Sequence, residues 1–278
     1  MGFHHRLPDG VPVTLWWLVY PLLGIFGGFV AGLFGVGGGM TLVPFLYTIF
    51  AAQGFPQEHL MHLSLGTSMA TIMLTSLSSM RAHHAHGAVD WTIVRAMAPG
   101  LVLGTLGGSL VAGWVPTRPL AAVFVSIVYY AAAQMVLDIR PKPHQGLPGV
   151  AGLFAAGGTI GIVSSLVAAG GGFLSVPFMI FCNVVMHTAV GTSAAMGFPI
   201  ALAGSVGYGI AGWDAGGLPP YTLGYVYLPG FVGIVALSML LAPVGARLAH
   251  RLPIRKLKRA FGFFLALLAS KMLANLLG

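Results

Sequence analysis

The sequence predicts an all-α membrane protein built from two inverted repeats of about five transmembrane segments each. The first observation is composition: 57% of the 278 residues are hydrophobic and 6% are charged, with a mean hydropathy of +0.90. A soluble domain has about 25% charged residues. The second observation is a set of motifs that occurs twice in the same order. The third is an uneven distribution of Arg and Lys between the apolar segments.

The duplicated motifs define the two repeats. "GVGGGMTLVPF" at Gly35 returns as "AAGGGFLSVPF" at Ala168, and "MHLSLGTSMA" at Met61 returns as "MHTAVGTSAA" at Met186. Two further pairs follow, "APGLVLG" with "LPGFVGI" and "VPTRPLAAVF" with "LPIRKLKRAF". Four matches in one order indicate a duplicated unit. The predicted organisation is a tail over 1–12, repeat 1 over 13–138, a proline-rich linker over 139–148 and repeat 2 over 149–278.

Apolar runs give the predicted helices, because a spanning helix needs about 20 apolar residues. Eight runs reach that length, at 13–36, 60–80, 94–115, 120–137, 149–169, 188–210, 223–245 and 257–277. Two shorter runs, 40–52 and 173–185, directly follow the triple glycines. Thirteen helical residues cover only about 20 Å of the roughly 30 Å hydrocarbon core. We therefore expect eight full-length spans and two short, broken helices.

The positive charges favour ten crossings over eight. If the short helices cross, ten cations share one side, namely Arg81, Arg95, Arg140, Lys142, Arg247, Arg251, Arg255, Lys256, Lys258 and Arg259, against Arg6, Arg118 and Lys271 on the other. If they do not cross, the division is six to seven. Cytoplasmic loops carry an excess of Lys and Arg. Five crossings per repeat then place the second repeat upside down relative to the first, a known transporter architecture.

The triple glycines are candidate ligand-binding backbone. The first N–H groups of a helix lack internal partners and carry the positive end of the helix dipole. Glycines expose these groups to a ligand, which predicts an anion site at Gly37, Gly38 and Gly39 and at Gly170, Gly171 and Gly172. A second set of small residues is spaced four apart and predicts close helix packing instead. These residues are Gly24, Gly28, Gly32, Gly157, Gly161 and Ser165.

The motif H-x-x-x-G-T-S opens the third segment of each repeat, at His62 to Ser68 and at His187 to Ser193. The hydroxyls of Thr67, Ser68, Thr192 and Ser193 are neutral donors suited to oxyanions. They can instead bond carbonyls of their own helix. His62 and His187 are candidates for coupling transport to protons, or they are solvated histidines at the membrane surface.

Several classes of function are excluded or disfavoured. No Asp or Glu lies inside a predicted span, so a carboxylate proton relay has no candidate residue. An intramembrane enzyme is disfavoured because no nucleophile, base and orienting acid can be assembled in the membrane, and an ATP-driven pump because no Walker-type loop is present. The high pI describes membrane-facing loops and indicates no nucleic-acid site. The single cysteine, Cys182, is interpreted as a packing residue, and "RAHHAHG" at Arg81–Gly87 as a basic loop without the acidic or cysteine partners of a metal site. No cofactor and no metal are expected.

With its ordered, duplicated motifs the chain resembles the TauE/SafE sulfite-exporter family. The matching features are a glycine-rich helix running into G-G-G and a proline, then a-v-G-T-S, then L-P-x-R-x-L near the last helix. The resemblance implies a bacterial inner-membrane secondary transporter of small sulfur-containing anions, such as sulfite or sulfoacetate, with export the usual proposal. One departure is Ala168–Ala169, where the first copy has Gly35–Val36, so the two half-sites need not bind alike.

Other functions remain open from the sequence. A passive anion channel could use the same site, and so could a permease for another small carboxylate or oxoanion. An assembly partner or sensor would transport nothing. The apolar helices are compatible with a homodimer, but no segment identifies an interface.

Overall fold

A computed structural model describes residues 13–34, 38–137, 146–249 and 254–277. In this part of the chain the helices are α1 (Val13–Phe34), α2 (Gly39–Ala52), α3 (Leu60–Ala85), α4 (Trp91–Ala112), α5 (Thr117–Val136), α6 (Val150–Val167), α7 (Gly172–Phe181), α8 (Met186–Ala211), α9 (Leu228–Ala249) and α10 (Ile254–Leu277). One antiparallel pair, β1 (Thr222–Leu223) and β2 (Val226–Tyr227), precedes α9. Within the described residues, seven helices are long and apolar enough to cross a membrane.

The predicted helices correspond to observed ones. The eight long apolar runs became α1, α3 to α6 and α8 to α10, and the two short runs became α2 and α7. Helix α7 has 10 residues and stops at Phe181, before the predicted end at residue 185. The backbone of Asn183 is left-handed, with a φ of 66°, so the right-handed helix cannot continue through it. The linker over 139–148 and Gly37 lie wholly or largely outside the described residues.

The start of the segment predicted at 223–245 was wrong. Thr222 pairs with Tyr227 and Leu223 with Val226 in a short hairpin, and the helix begins only at Leu228. Gly224 takes a φ of 55°, which a turn tolerates and a right-handed helix does not.

Two pairs of parallel helices pack through glycines. A Cβ on Gly24 or Gly28 of α1 would collide with the backbone of Ile234 or Ser238 of α9. In the other pair, α6 against α4, a Cβ on Gly157 would lie 2.5 Å from the Met97 carbonyl oxygen. A Cβ on Gly161 would lie at the same distance from the Leu101 carbonyl oxygen. The close-packing interpretation is thus confirmed for these four glycines.

The long helices α3 and α8 lie side by side and run in opposite directions. Their contacts follow reversed order along the two helices and join Gly66 to Tyr208, Met69 to Gly204 and Ser76 to Gly197. Helices α5 and α10 are also antiparallel, since Tyr129 Oη lies 2.7 Å from Ser270 Oγ and Gly262 packs against Ala132. Every apolar residue from Leu60 to Ile72 of α3 is buried, so α3 forms the centre of the molecule.

We expect Gly28→Ala to lower the free energy of unfolding by about 1–3 kcal/mol, because the new methyl group overlaps the α9 backbone. Thermal unfolding of the purified protein in detergent measures the change. Gly107→Ala on α4 is the matched control, since nothing lies within 4 Å of its Cβ position. It should leave stability unchanged or raise it by up to about 1 kcal/mol through helix propensity. Equal melting curves for the two variants would contradict the packing interpretation.

Candidate functional site

Left-handed glycines create the breaks before the two short helices. Gly38 precedes α2 with a φ of 70°, and Gly171 precedes α7 with a φ of 83°. Both are predicted site residues, and each accepts hydrogen bonds from the first turn of its helix through its own carbonyl oxygen. Glycine adopts this conformation without steric cost. The break between α6 and α7 also contains Ala168, a left-handed residue with a φ of 47°.

The two breaks lie halfway along the long helices. A Cβ on Gly39 would collide with the carbonyl oxygen of Ala168 and would lie 2.5 Å from Ile72 Cδ1, in the middle of α3. A Cβ on Gly197, in the middle of α8, would lie 3.1 Å from the Gly170 carbonyl oxygen. The first N–H groups of α2 and α7, with the positive ends of their dipoles, are therefore at mid-depth.

A cleft lies beside the second break. It is lined by Ala31, Thr75, Ser76, Ser79, Gly170, Ala194, Gly197 and Ala242. We call it the α3–α8 cleft. The first break is close to it, because a Cβ on Gly38 would lie 3.0 Å from the Cβ of Ala31. Among the predicted site residues that the structure describes, Gly170 lines the cleft directly.

The threonines of the two G-T-S motifs join the two halves of the chain. Thr67 Oγ1 accepts a hydrogen bond from the backbone N–H of Tyr227 at 3.0 Å, just before α9. Thr192 Oγ1 accepts one from the backbone N–H of Asp90 at 2.9 Å, just before α4. Each threonine thus holds the start of a helix in the opposite half. Their hydroxyl hydrogens are not used in these bonds, since the oxygens are the acceptors.

The serines of the same motifs differ from each other. Ser193 Oγ lies 2.9 Å from Ser175 Oγ, which lies 2.8 Å from the Gly171 carbonyl oxygen, so this serine supports the break before α7. Ser68 Oγ is fully buried and has no hydrogen-bond partner. Leu42 stands in the first copy where Ser175 stands in the second, which removes the partner.

The two motif histidines occupy different environments. His62 is buried, and its Nε2 lies 3.2 and 3.0 Å from the carbonyl oxygens of Ala112 and Val115. Because both partners only accept, Nε2 carries the hydrogen. The ring stacks on Tyr225 at 4.8 Å, and burial, followed by the Glu58 charge, raises the pKa of the Tyr225 phenol. His187 is exposed, so the interpretation of a histidine at the protein surface suits it and does not suit His62.

The histidine-rich segment was predicted to be a loop, but α3 continues through Ala85, so most of it forms the end of that helix, where ordinary hydrogen bonds hold it. Trp91 Nε1 donates to His84 Nδ1 at 3.1 Å, and His86 Nδ1 pairs with the Ala82 carbonyl oxygen at 2.7 Å. Among the described residues no group of three or more His, Cys, Asp or Glu could hold a metal ion. Cys182 is buried at the end of α7 with a free thiol, consistent with a packing residue.

Sequence reasoning missed the hydroxyl wall of the cleft and the hairpin. Thr75, Ser76 and Ser79 continue a row on α3 that begins at Ser64 and Ser68, with hydroxyl residues recurring at helical spacing. This recurrence is the feature of the sequence from which the hydroxyl wall could have been predicted. The hairpin had a weaker one, a Gly–Tyr turn inside an apolar run.

We expect Thr67→Val to destabilise the protein by about 1–3 kcal/mol, because it leaves the Tyr227 N–H without its acceptor. Thr67→Ser should restore most of this stability. Thr71→Val is the matched control, since the Thr71 hydroxyl bonds only a carbonyl oxygen of its own helix. Thermal unfolding without any substrate is the measurement. If Thr67→Val and Thr71→Val unfold alike, the threonine does not join the halves.

The comparisons with known proteins agree with one another. A family model described as "Sulfite exporter TauE/SafE" matches residues 20–272. A probable membrane transporter protein of Haemophilus influenzae is 36% identical over 256 residues, covering 90% of this chain and 96% of that protein. Similarly named proteins of Bacillus subtilis and Methanocaldococcus jannaschii are 26% and 25% identical, covering 87% and 82% of this chain and 93% and 83% of theirs. No solved structure matches this chain significantly.

Proposed function

The chain belongs to the TauE/SafE sulfite exporter family, and we propose that it exports small sulfur-containing anions, sulfite or organosulfonates such as sulfoacetate, across the bacterial inner membrane by alternating access. It is a multi-pass membrane transporter and not an enzyme. The observation that carries the proposal is the pair of helix breaks at mid-depth beside a hydroxyl-lined cleft.

Two inverted repeats with ten crossings are part of this proposal. Each helix of the α3–α8 and α5–α10 pairs is antiparallel to its counterpart from the other half, as inverted repeats require. With eight crossings, α3 and α8 would both run the same way across the membrane. The pairing of α1 with α9 matches that of α6 with α4, which supports the same relation between halves.

The chemistry of the breaks suits an anion. Each helix start carries about half a positive charge, and the glycines allow an oxyanion to reach the N–H groups. The nearby hydroxyls of α3 are neutral donors that add direction without a fixed charge. We propose substrate contacts at Gly37 to Gly39, Gly170 to Gly172, Ser68 and Ser193. Thr67 and Thr192 can contribute only their remaining hydroxyl hydrogens.

Coupling to protons and dimerisation stay predictions. His62 has its Nε2 committed to two carbonyl oxygens, and only Nδ1, 3.4 Å from Thr117 Oγ1, is left to take a proton. His187 is exposed. Large exposed side chains such as Leu103 and Phe263 suit contact with lipid or with a second copy of the chain.

The ten-crossing topology predicts which loops share a side of the membrane. In a Cys182→Ser background, Arg118→Cys and Asp214→Cys should react with an impermeant thiol reagent from the periplasmic side. Arg81→Cys and Arg247→Cys should react only from the cytoplasmic side. All four parent side chains are exposed. Reaction of positions 118 and 214 from opposite sides would support eight crossings and rule out ten.

The transport proposal predicts flux by the purified protein in liposomes. Sulfite or sulfoacetate should accumulate above its equilibrium level when a pH gradient is imposed, with taurine and sulfate compared in the same assay. A passive channel would only equalise concentrations. No flux of any of these anions in folded protein would reject the proposed function and favour a sensor or assembly partner.

A further inference from the structure

The α3–α8 cleft lies on one side of the helix breaks. Its lining residues come from the second half of α3, toward Arg81, and from the first half of α8. Thr75 and Ser76 are more than nine-tenths buried, and Ser79 is half-buried. The remaining lining residues are Gly or Ala, so the cleft is narrow, neutral and lined by hydroxyls on one wall.

Two residues that line the cleft are replaced by larger apolar side chains at the equivalent positions on the other side of the breaks. The repeated H-x-x-x-G-T-S motif aligns α3 with α8, and Ala194 and Gly197 then correspond to Met69 and Ile72. Met69 packs against Gly204, and Ile72 packs against Gly39.

The hydroxyl wall likewise has no counterpart. Thr75, Ser76 and Ser79 correspond to Ile200, Ala201 and Gly204, which carry no hydroxyl. Ile200 approaches Gly171 instead, with its Cδ1 2.7 Å from the position of a Cβ on that glycine. The two halves therefore cannot offer the same ligand contacts.

The cleft hydroxyls are available to a ligand at low cost. Thr75 Oγ1 lies 3.2 Å from the carbonyl oxygens of Thr71 and Ile72, and Ser76 Oγ lies 3.0 Å from that of Met73. Helix carbonyls in this position already accept an N–H four residues later. A hydroxyl that turns toward an anion leaves no unpaired group behind, and hydrogen bonds to charged acceptors are the stronger ones.

We propose that the substrate anion reaches the helix breaks from the cytoplasmic side through the α3–α8 cleft, with Thr75, Ser76 and Ser79 as its hydroxyl donors there. The inference rests on the proposed transport function and adds the residues that determine binding. The described residues that line the cleft include no carboxylate, so it takes a small anion without an ammonium group. Sulfoacetate fits this class, and taurine, with its ammonium group, does not.

The first test is the Michaelis constant for sulfoacetate flux in liposomes. Ser76→Ala/Ser79→Ala should raise it about tenfold, as expected when hydrogen bonds to a charged ligand are lost. Ser64→Ala is the matched control, since Ser64 is a buried serine of the same helix that bonds the Leu60 carbonyl oxygen outside the cleft. The Michaelis constant of Ser64→Ala should stay unchanged. An unchanged constant in the double variant, with normal wild-type flux, would overturn the inference and leave the proposed function standing.

Thiol labelling is the second test, and it replaces the flux measurement if the serine variants fold poorly. In a Cys182→Ser background, Ser79→Cys should react with a thiol reagent from the cytoplasmic side, and sulfoacetate should slow the reaction whereas taurine should not. Ala201→Cys, on α8 at the position equivalent to Ser76, is fully buried in the parent and should not react. Equal rates with and without sulfoacetate would refute binding in the cleft. If sulfoacetate protects Ser79→Cys from the reagent but the wild-type protein shows no flux, the cleft binds the anion and the transport proposal is rejected.

Discussion

Backbone N–H and C=O groups inside a bilayer find no water, so a chain that crosses it must pair them within the protein. Ten helices meet this requirement along most of the described chain. The starts of α2 and α7 do not, because their first N–H groups have no partner in the helix. Such groups are tolerated at mid-depth only if protein covers them or they line a cavity. Gly39 is covered by Ala168, whereas Gly170 lines the cleft.

Close packing by glycine and a few hydrogen bonds then hold the halves together. The glycines of α1 and α6 let their backbones touch α9 and α4 directly, and Thr67 and Thr192 hold the starts of α9 and α4. The two threonines lie at opposite ends of the molecule. At the Thr67 end the hairpin adds Tyr227, whose ring packs on Phe50 and Phe55 at 5.5 and 5.1 Å and closes that end.

The sequence predicted the helices well because apolar length and glycine breaks are local signals. The predicted boundaries of α1, α2 and α3 lie within a few residues of the observed ones. It missed the hairpin because the apolar run around Tyr225 has the composition of a helix, and only the left-handed backbone at Gly224 excludes one. His62 and His187 occupy matching places in the two motifs but lie in different environments in the structure. Their neighbours come from distant segments, Ala112 and Val115 for His62, and no local pattern specifies those contacts.

The differences between the halves carry more functional information than their similarity. In a transporter of two identical inverted repeats, the inward-open and outward-open states would be related by symmetry and equal in free energy. Any bias between them must come from positions where the copies differ. Three of the differing pairs are Leu42 and Ser175, Met69 and Ala194, and Ile72 and Gly197. In each pair the larger apolar residue belongs to the first copy, on the side opposite the cleft. Their burial favours closure of that side, whereas the smaller Ala194 and Gly197 line the cleft beside Gly170.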